Sequence, residues 1–188
     1  MKRKLLVILA ILACVGLLPA AELEVGAMVG LRTMSDSAIK DTYGSGVVFL
    51  PHVEFGVAKG FVLGAAYEAG YSKDADIGIY ADASTLKVSG FELTAAYRFR
   101  LSSPKVVPYL KAGVGFYKFK QEIPSLDIRV DGNKAGLVLA GGVKVHVGRK
   151  VFLSGEIKYV PLKVTPLDVE VDLGGLRLMV GIGTTFGG

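Results

Sequence analysis

Apolar and polar residues alternate along most of the chain in runs of about ten residues, separated by turn-forming residues. A period of two predicts β-strands, and no segment after residue 21 shows a convincing helical period. The pattern predicts eight strands, at 22–33, 46–57, 61–72, 86–100, 106–119, 136–147, 151–161 and 173–186.

The connections between these strands alternate between short and long. The short ones are VAKG (57–60), LSSPK (101–105) and VGRK (147–150). The long ones are polar and occupy 33–46, 72–85, 121–135 and 161–172. This alternation is typical of outer-membrane barrels, which have tight turns at one end and long loops at the other. No repeat or linker interrupts the pattern, so it predicts one domain.

The two faces of the predicted strands differ sharply in charge. One face is almost uncharged, as in Leu23, Val25, Ala27, Val29 and Leu31. The other combines glycine and alanine with charged residues in a set that we expect to form a polar network in the lumen: Glu24, His52, Glu54, Glu68, Glu92, Arg98, Lys111, Lys144, His146, Glu156, Lys158 and Arg177. In a small membrane barrel the uncharged face meets lipid, and small residues give the charged face room inside. The set holds five Glu against five Lys or Arg, and such balance suits a dry interior.

Aromatic residues on the uncharged face fall into two groups. Near the short-turn ends lie Phe55, Phe61, Phe99 and Phe186; towards the long-loop ends lie Phe49, Tyr71, Phe91, Phe116 and Tyr159. Two such bands predict the interfacial aromatic girdles of a membrane barrel.

The first residues explain part of the composition, which is 51% hydrophobic with a mean hydropathy of +0.47. A basic start, an apolar run (Leu5–Leu18) and small residues predict a signal peptide over 1–21, followed by the barrel domain over 22–188. A membrane anchor would need a longer apolar run. Cys14 resembles the cysteine of a lipoprotein signal, but the apolar run continues beyond it.

Removal of this leader changes two arguments about partners. Loss of its three basic residues lowers the formal net charge from +5 to +2, which removes the main support for nucleic-acid binding. Loss of Cys14 leaves no cysteine for a disulfide or a metal site.

Three stretches resemble a known family. FELTAAYRFR (91–100), a short turn and VVPYLKAGVGFYKF (106–119) resemble the small outer-membrane β-barrel domain family, and LMVGIGTTF (178–186) resembles the final strand of OmpA-, OmpX- and OmpW-type barrels. The resemblance implies an all-β fold, an eight-stranded antiparallel up-and-down transmembrane β-barrel. It implies location in the outer membrane of a Gram-negative envelope after export. The implied partners are outer-membrane lipid, lipopolysaccharide and the barrel-assembly machinery; the oligomeric state stays open.

Candidate chemistry on the predicted inner face is sparse. His52 and His146 are expected to join the interior hydrogen-bond network, since no ligand at metal-binding spacing accompanies them. Ser154, Glu156 and His146 offer the residue types of a hydrolase, but they point inward, away from lipid. The glycine-rich GIGTTFG lacks the helix that a phosphate loop requires. We therefore expect no catalytic residue, cofactor or metal site.

Two long loops are acidic. One holds Asp74, Asp76 and Asp82, and the other holds Asp168, Glu170 and Asp172. We expect solvated charges here; the alternative is that divalent cations bridge these oxygens to lipopolysaccharide phosphates.

The leading functional hypothesis is a non-enzymatic outer-membrane barrel with a narrow, charge-filled lumen, serving envelope integrity or surface interaction through its long loops. The alternative is an OmpW-like conduit for small hydrophobic molecules, for which Pro51 and Pro161 mark possible breaks in strand pairing. A soluble periplasmic binding barrel is a third possibility.

Overall fold

A computed structural model describes residues 22–78, 80, 82–103, 105–165 and 171–187; the predicted signal peptide lies outside them. The eight long strands are β1 (Leu23–Arg32), β2 (Gly46–Ala58), β3 (Phe61–Ile77), β4 (Asp82–Arg98), β5 (Val106–Ile123), β6 (Ile128–His146), β7 (Val151–Val160) and β10 (Gly175–Phe186). The other elements are helix α1 (Ser37–Tyr43), a 3₁₀ turn (Pro124–Leu126) and the short strands β8 (Lys163–Val164) and β9 (Val171–Asp172).

The eight long strands form one closed antiparallel barrel, in the order β1-β10-β7-β6-β5-β4-β3-β2. The last strand closes the barrel against the first over their whole length, from Leu23 opposite Phe186 to Arg32 opposite Arg177. The predicted eight-stranded up-and-down barrel is confirmed.

The pleat separates the two faces as the alternation predicts. On β7 and β10 the apolar side chains of Ile157 and Val180 are 57% and 64% exposed on the outside of the barrel. Their neighbours Lys158 and Arg177 are 1% and 0% exposed and point into the lumen. The charged face is therefore the inside. No helix in the described residues is long and apolar enough to cross a membrane.

Several strands are longer than predicted. β3 runs to Ile77 and β4 begins at Asp82, and β5 and β6 extend to Ile123 and from Ile128. These two hairpins thus continue through sequence predicted as loop. Beyond the lipid both faces of a strand meet water, so the apolar alternation that reveals a membrane strand disappears.

The first long loop contains a helix that the sequence pattern does not predict. The Asp36 side chain accepts hydrogen bonds from the backbone N–H groups of Ala38 (2.9 Å) and Ile39 (3.2 Å), and so caps α1. Seven residues are too few to show a helical period, although an aspartate at this position is a common start signal.

Apolar side chains fill the lumen at the long-loop end. Met34, Tyr43 of α1, and Leu162, Val164 and Leu173 around the β8–β9 pair are all less than 6% exposed. Backbone hydrogen bonds join these loops, including Ser35 N–H to the carbonyl of Gly174 (2.9 Å). The loops therefore fold over the mouth of the barrel and pack into it, and we call these five side chains the apolar plug.

One predicted outward residue points inward. A bulge shifts the β3–β4 register between Glu68 and Tyr71, where Gly70 has a φ of +97°. Because one extra residue reverses the two faces, Tyr71 is only 2% exposed, and its hydroxyl donates to the carbonyl of Gly44 (3.2 Å). Tyr71 is therefore not part of an aromatic girdle.

Candidate functional site

The lumen below the apolar plug contains a fully buried triad of charges. Arg32 donates to Glu68 Oε1 (2.8 Å), and Arg177 donates through Nε to Glu68 Oε2 (2.9 Å). All three side chains are 0% exposed. Each guanidinium also donates to a backbone carbonyl, Arg32 to Leu173 (2.5 Å) and Arg177 to Gly175 (2.9 Å). One carboxylate thus holds two cations at the long-loop end of the lumen.

A second group lies beside this triad. Glu92 accepts from Lys158 Nζ at 2.7 Å and from the Tyr117 hydroxyl at 2.7 Å. Tyr117 requires glycine neighbours: a Cβ on Gly90 would lie 2.2 Å from its ring, and one on Gly115 2.4 Å. The glycines of the inner face therefore make room for large side chains that cross the lumen.

A third group lies towards the short-turn end. Lys111 bridges Glu54 and Glu156, with 3.0 Å from its ammonium to each carboxylate. Glu156 also accepts from the Tyr109 hydroxyl at 2.9 Å. Lys144 binds Glu54 (2.6 Å) and Glu24.

Arg98 closes the network at the short-turn mouth. It donates to Glu24 (2.5 Å), to Glu54 (3.1 Å) and to Glu22 (3.2 Å), whose side chain is 39% exposed. The buried charges thus extend from the fully buried triad at one end of the lumen to an ion pair in contact with water at the other.

The charges of the buried groups balance. Among the described residues, the buried carboxylates are Glu24, Glu54, Glu68, Glu92 and Glu156, and the buried cations are Arg32, Lys111, Lys144, Lys158 and Arg177. Every member bonds to an opposite charge, which is what makes burial of ions tolerable. Such an arrangement fixes side chains across a narrow bore.

Three buried participants are absent from the predicted lumen set: Arg32, Tyr109 and Tyr117. Arg32 is separated by an even number of residues from Glu24, so the alternation places both on the inner face of β1. It is, however, the last residue of that strand, beside a predicted loop. Tyr109 and Tyr117 also have inward parity, yet tyrosine is equally at home in lipid, so residue type gives no signal. The alternation of inward and outward positions along β1 and β5 places all three on the inner face.

The remaining predicted polar residues lie inside without ion pairs. His52 is buried, and its Nε2 has no hydrogen-bond partner in the described structure; the same is true of His146 Nδ1 and the Ser154 hydroxyl. A nucleophilic serine needs a base bonded to it, and Ser154 has none among these residues. The described part of the chain contains no group of three or more His, Cys, Asp or Glu able to hold a metal ion.

The acidic loops are partly engaged within the protein. Asp74 accepts from the Thr85 hydroxyl (2.6 Å) and Asp82 from that of Ser125 (2.6 Å). Asp172 accepts from two backbone N–H groups, of Leu162 (3.0 Å) and Gly174 (2.8 Å). Asp168 and Glu170 lie outside the described residues.

Apart from Tyr71, the residues predicted for the girdles lie on the outer surface. Seven are 40–54% exposed and Phe55 is half-buried. At the short-turn end Tyr97 stacks edge-on between Phe61 (5.0 Å) and Phe99 (5.2 Å). Tyr97 and Tyr67, 41% and 48% exposed, are additional aromatics of this surface.

Comparison with known proteins agrees with this architecture. Residues 6–183 match the family described as outer membrane protein beta-barrel domain. Among solved structures, OprG from Pseudomonas aeruginosa superposes with a TM-score of 0.73 at 13% identity, over 90% of this chain and 97% of that one. Neisserial surface protein A (NspA) gives a TM-score of 0.63 at 18% identity, over 89% of this chain and 100% of that one. A search of curated proteins found no match.

The family match extends over nearly the whole chain, whereas the structural neighbours are too distant in sequence to show more than the fold. The soluble periplasmic barrel that the sequence left open is therefore wrong. In outer-membrane barrels the short turns generally face the periplasm and the long loops face outward. The chain belongs to the outer membrane protein beta-barrel domain family and is a protein of the outer membrane.

Proposed function

We propose that this protein is a non-enzymatic barrel whose lumen is closed, and that it serves envelope integrity or surface interaction through its extracellular loops. The observation that carries the proposal is the set of buried ion pairs in the lumen, the Glu68 triad together with the chain of ion pairs from Glu92 to Arg98. A hydrated ion passing through would have to break several of these pairs at once. Its partners would be outer-membrane lipid, lipopolysaccharide and, during insertion, the barrel-assembly machinery.

The extracellular side supports the same proposal. The apolar plug seals the outer mouth, and the β3–β4 and β5–β6 hairpins project beyond it. These hairpins present polar, accessible surface on rigid strands, which suits contact with other molecules better than solute passage.

We expect little or no conductance when the purified chain from Glu22 onward is inserted in planar lipid bilayers. Eight strands enclose a bore that side chains can fill, and here the side chains filling it are locked by ion pairs. Single-channel recording beside a porin of known conductance measures this. A stable conductance of porin size would overturn the closed lumen.

A second candidate function is a conduit for small hydrophobic molecules. It is favoured by gaps in the hydrogen-bonded pairing between neighbouring strands. Residues 128–138 of β6 pair only with β5, and Pro161 directly follows the end of β7. On the other side of the barrel, the β2–β3 pairing skips from Phe49 to His52, past Pro51. In vesicles carrying the protein, accelerated entry of a small hydrophobic dye without ion conductance would favour the conduit over the closed barrel.

A further inference from the structure

The outer surface of β3, β4 and β5 carries a row of aromatic side chains. Tyr67 lies opposite Phe91, and Phe91 lies opposite Phe116. On the short-turn side of the row, the same faces continue with apolar residues such as Leu93 and Val114. Aromatic rings concentrate where the apolar band of a membrane barrel ends. The row therefore marks the membrane–water interface on the long-loop side.

Lysines replace apolar residues immediately beyond this row. Lys118 is two residues past Phe116 on the same outward face, roughly 7 Å along the strand. Lys87 and Lys120 lie opposite each other one step further out. We call Lys87, Lys118 and Lys120 the lysine patch. The surface changes from apolar to cationic at the depth where lipid headgroups lie.

The lysine patch is under-compensated by the protein itself. Lys120 pairs with Glu122 at 2.6 Å, whereas Lys87 and Lys118 form no ion pair with any residue in the described ranges. Lys87 and Lys120 lie directly opposite each other and repel, and the carboxylates of Glu122 and of Asp131, which lies opposite Lys120 on β6, offset part of this repulsion. An external anion between them would relieve this repulsion.

A shallow cleft of about 500 Å³ extends from the aromatic row to Lys118 of the lysine patch, and Lys134 also lines it. Its floor includes the rings of Tyr67, Phe91 and Phe116, and its rim includes Ser89, Lys118 and Asn133. Ser89 and Asn133 both lie opposite Lys118, one on each neighbouring strand. A hydroxyl, an ammonium and an amide thus stand together above an apolar surface.

We propose that this cleft and the lysine patch bind a phosphorylated glycolipid of the outer leaflet. Its acyl chains would lie on the aromatic floor, its sugar hydroxyls would bond Ser89 and Asn133, and its phosphate would contact Lys118 and Lys87. This site is distinct from the acidic loops, where a bridging cation would be needed. The proposal rests on the proposed envelope role and its lipid partner, for which it names the contact surface, and it does not depend on whether the lumen conducts.

The test is native mass spectrometry of the folded chain from Glu22 onward in a neutral maltoside detergent, titrated with bisphosphorylated lipid A. We expect the K87Q/K118Q variant to bind at least tenfold more weakly, since each ammonium–phosphate contact contributes about tenfold in affinity. The matched control is K59Q/K150Q, which removes two exposed lysines at the short-turn end and should leave binding unchanged. Faster gel migration of unheated than of heated samples verifies that each variant is folded.

Two further ligands separate the contribution of the phosphate groups from that of the acyl chains. Lipid A without phosphates and glucose 1-phosphate without acyl chains should both bind at least tenfold more weakly than the complete lipid. Equal binding of K87Q/K118Q and the parent chain would overturn the proposal. So would equal affinity for either partial ligand, or self-association abolished by K87Q/K118Q in the absence of lipid. Bilayer conductance is measured separately, so failure here leaves the closed lumen standing.

Discussion

Replacing Glu68 by Gln is expected to lower the free energy of unfolding by about 3–5 kcal/mol, the range seen when one partner of a buried ion pair is removed. Glu68 is the carboxylate shared by Arg32 and Arg177, and all three are fully buried. An amide cannot neutralise two guanidinium groups, which would remain charged inside the barrel. Urea unfolding of the protein in phosphatidylcholine vesicles, followed by circular dichroism, measures the loss.

Two variants make this result interpretable. D131N breaks the ion pair of Asp131 with Arg129 (3.7 Å), whose side chains are 50% and 60% exposed, and should change stability by no more than about 0.5 kcal/mol. Replacing Glu68, Arg32 and Arg177 together by Met removes every charge of the triad and should recover much of the stability lost in E68Q. If E68Q unfolds at the same urea concentration as D131N, the triad does not hold the lumen together.

Replacing Val180 by Arg is expected to cost about 2–4 kcal/mol, as for a cation placed at the bilayer midplane on the lipid face of a barrel. Val180 is 64% exposed and lies near the middle of β10, between Val29 of β1 and Gly155 of β7. On a surface that met water, the same substitution would change stability by no more than about 0.5 kcal/mol. The same urea titration in vesicles decides between these values.

Val147 supplies the matched control. It is 60% exposed, like Val180, but it lies in the short turn after β6. V147R should therefore cost no more than about 1 kcal/mol, as expected near the interface. Equal losses in V180R and V147R would contradict the assignment of the apolar face to lipid.

The barrel itself follows from the sequence because a membrane strand repeats one simple rule. Every second residue from Leu176 to Ile182 must suit lipid, and Arg177 between them must suit a crowded interior. Two faces with such different requirements leave a strong period of two. The alternation of short and long connections then supplies the topology.

The alternation of apolar and polar residues does not reveal a strand where its two faces no longer meet lipid on one side and the lumen on the other. Regular alternation along β3 places Tyr71 on the outer face, but a bulge at Gly70 reverses the two faces. The sequence pattern predicts a loop from Lys73 to Ile77, where the structure has strand. A strand that projects into water needs no apolar face, so the alternation is missing there. In both places the sequence is compatible with a strand, but the physical signal that reveals one is missing.

Which charged side chains form ion pairs with each other inside the lumen also could not be predicted from the sequence. The charge balance predicts that the inner residues form ion pairs, but not that Lys111 bridges Glu54 and Glu156. Which side chains meet across the bore depends on how far each strand is staggered around the barrel. Alternation within single strands carries no information about that stagger.

The central claim is that the charged face of each strand is inside and the apolar face meets lipid, and a cysteine scan of β10 tests it most directly. The chain from Glu22 onward has no cysteine, so single substitutions at Leu178, Met179, Val180, Gly181 and Ile182 can each carry a thiol-reactive fluorophore. In vesicles, we predict labelling at 178, 180 and 182 with fluorescence quenched by brominated acyl chains, and no labelling of folded protein at 179 and 181. Quenching at 178, 180 and 182 by aqueous iodide instead of brominated lipid would contradict the account.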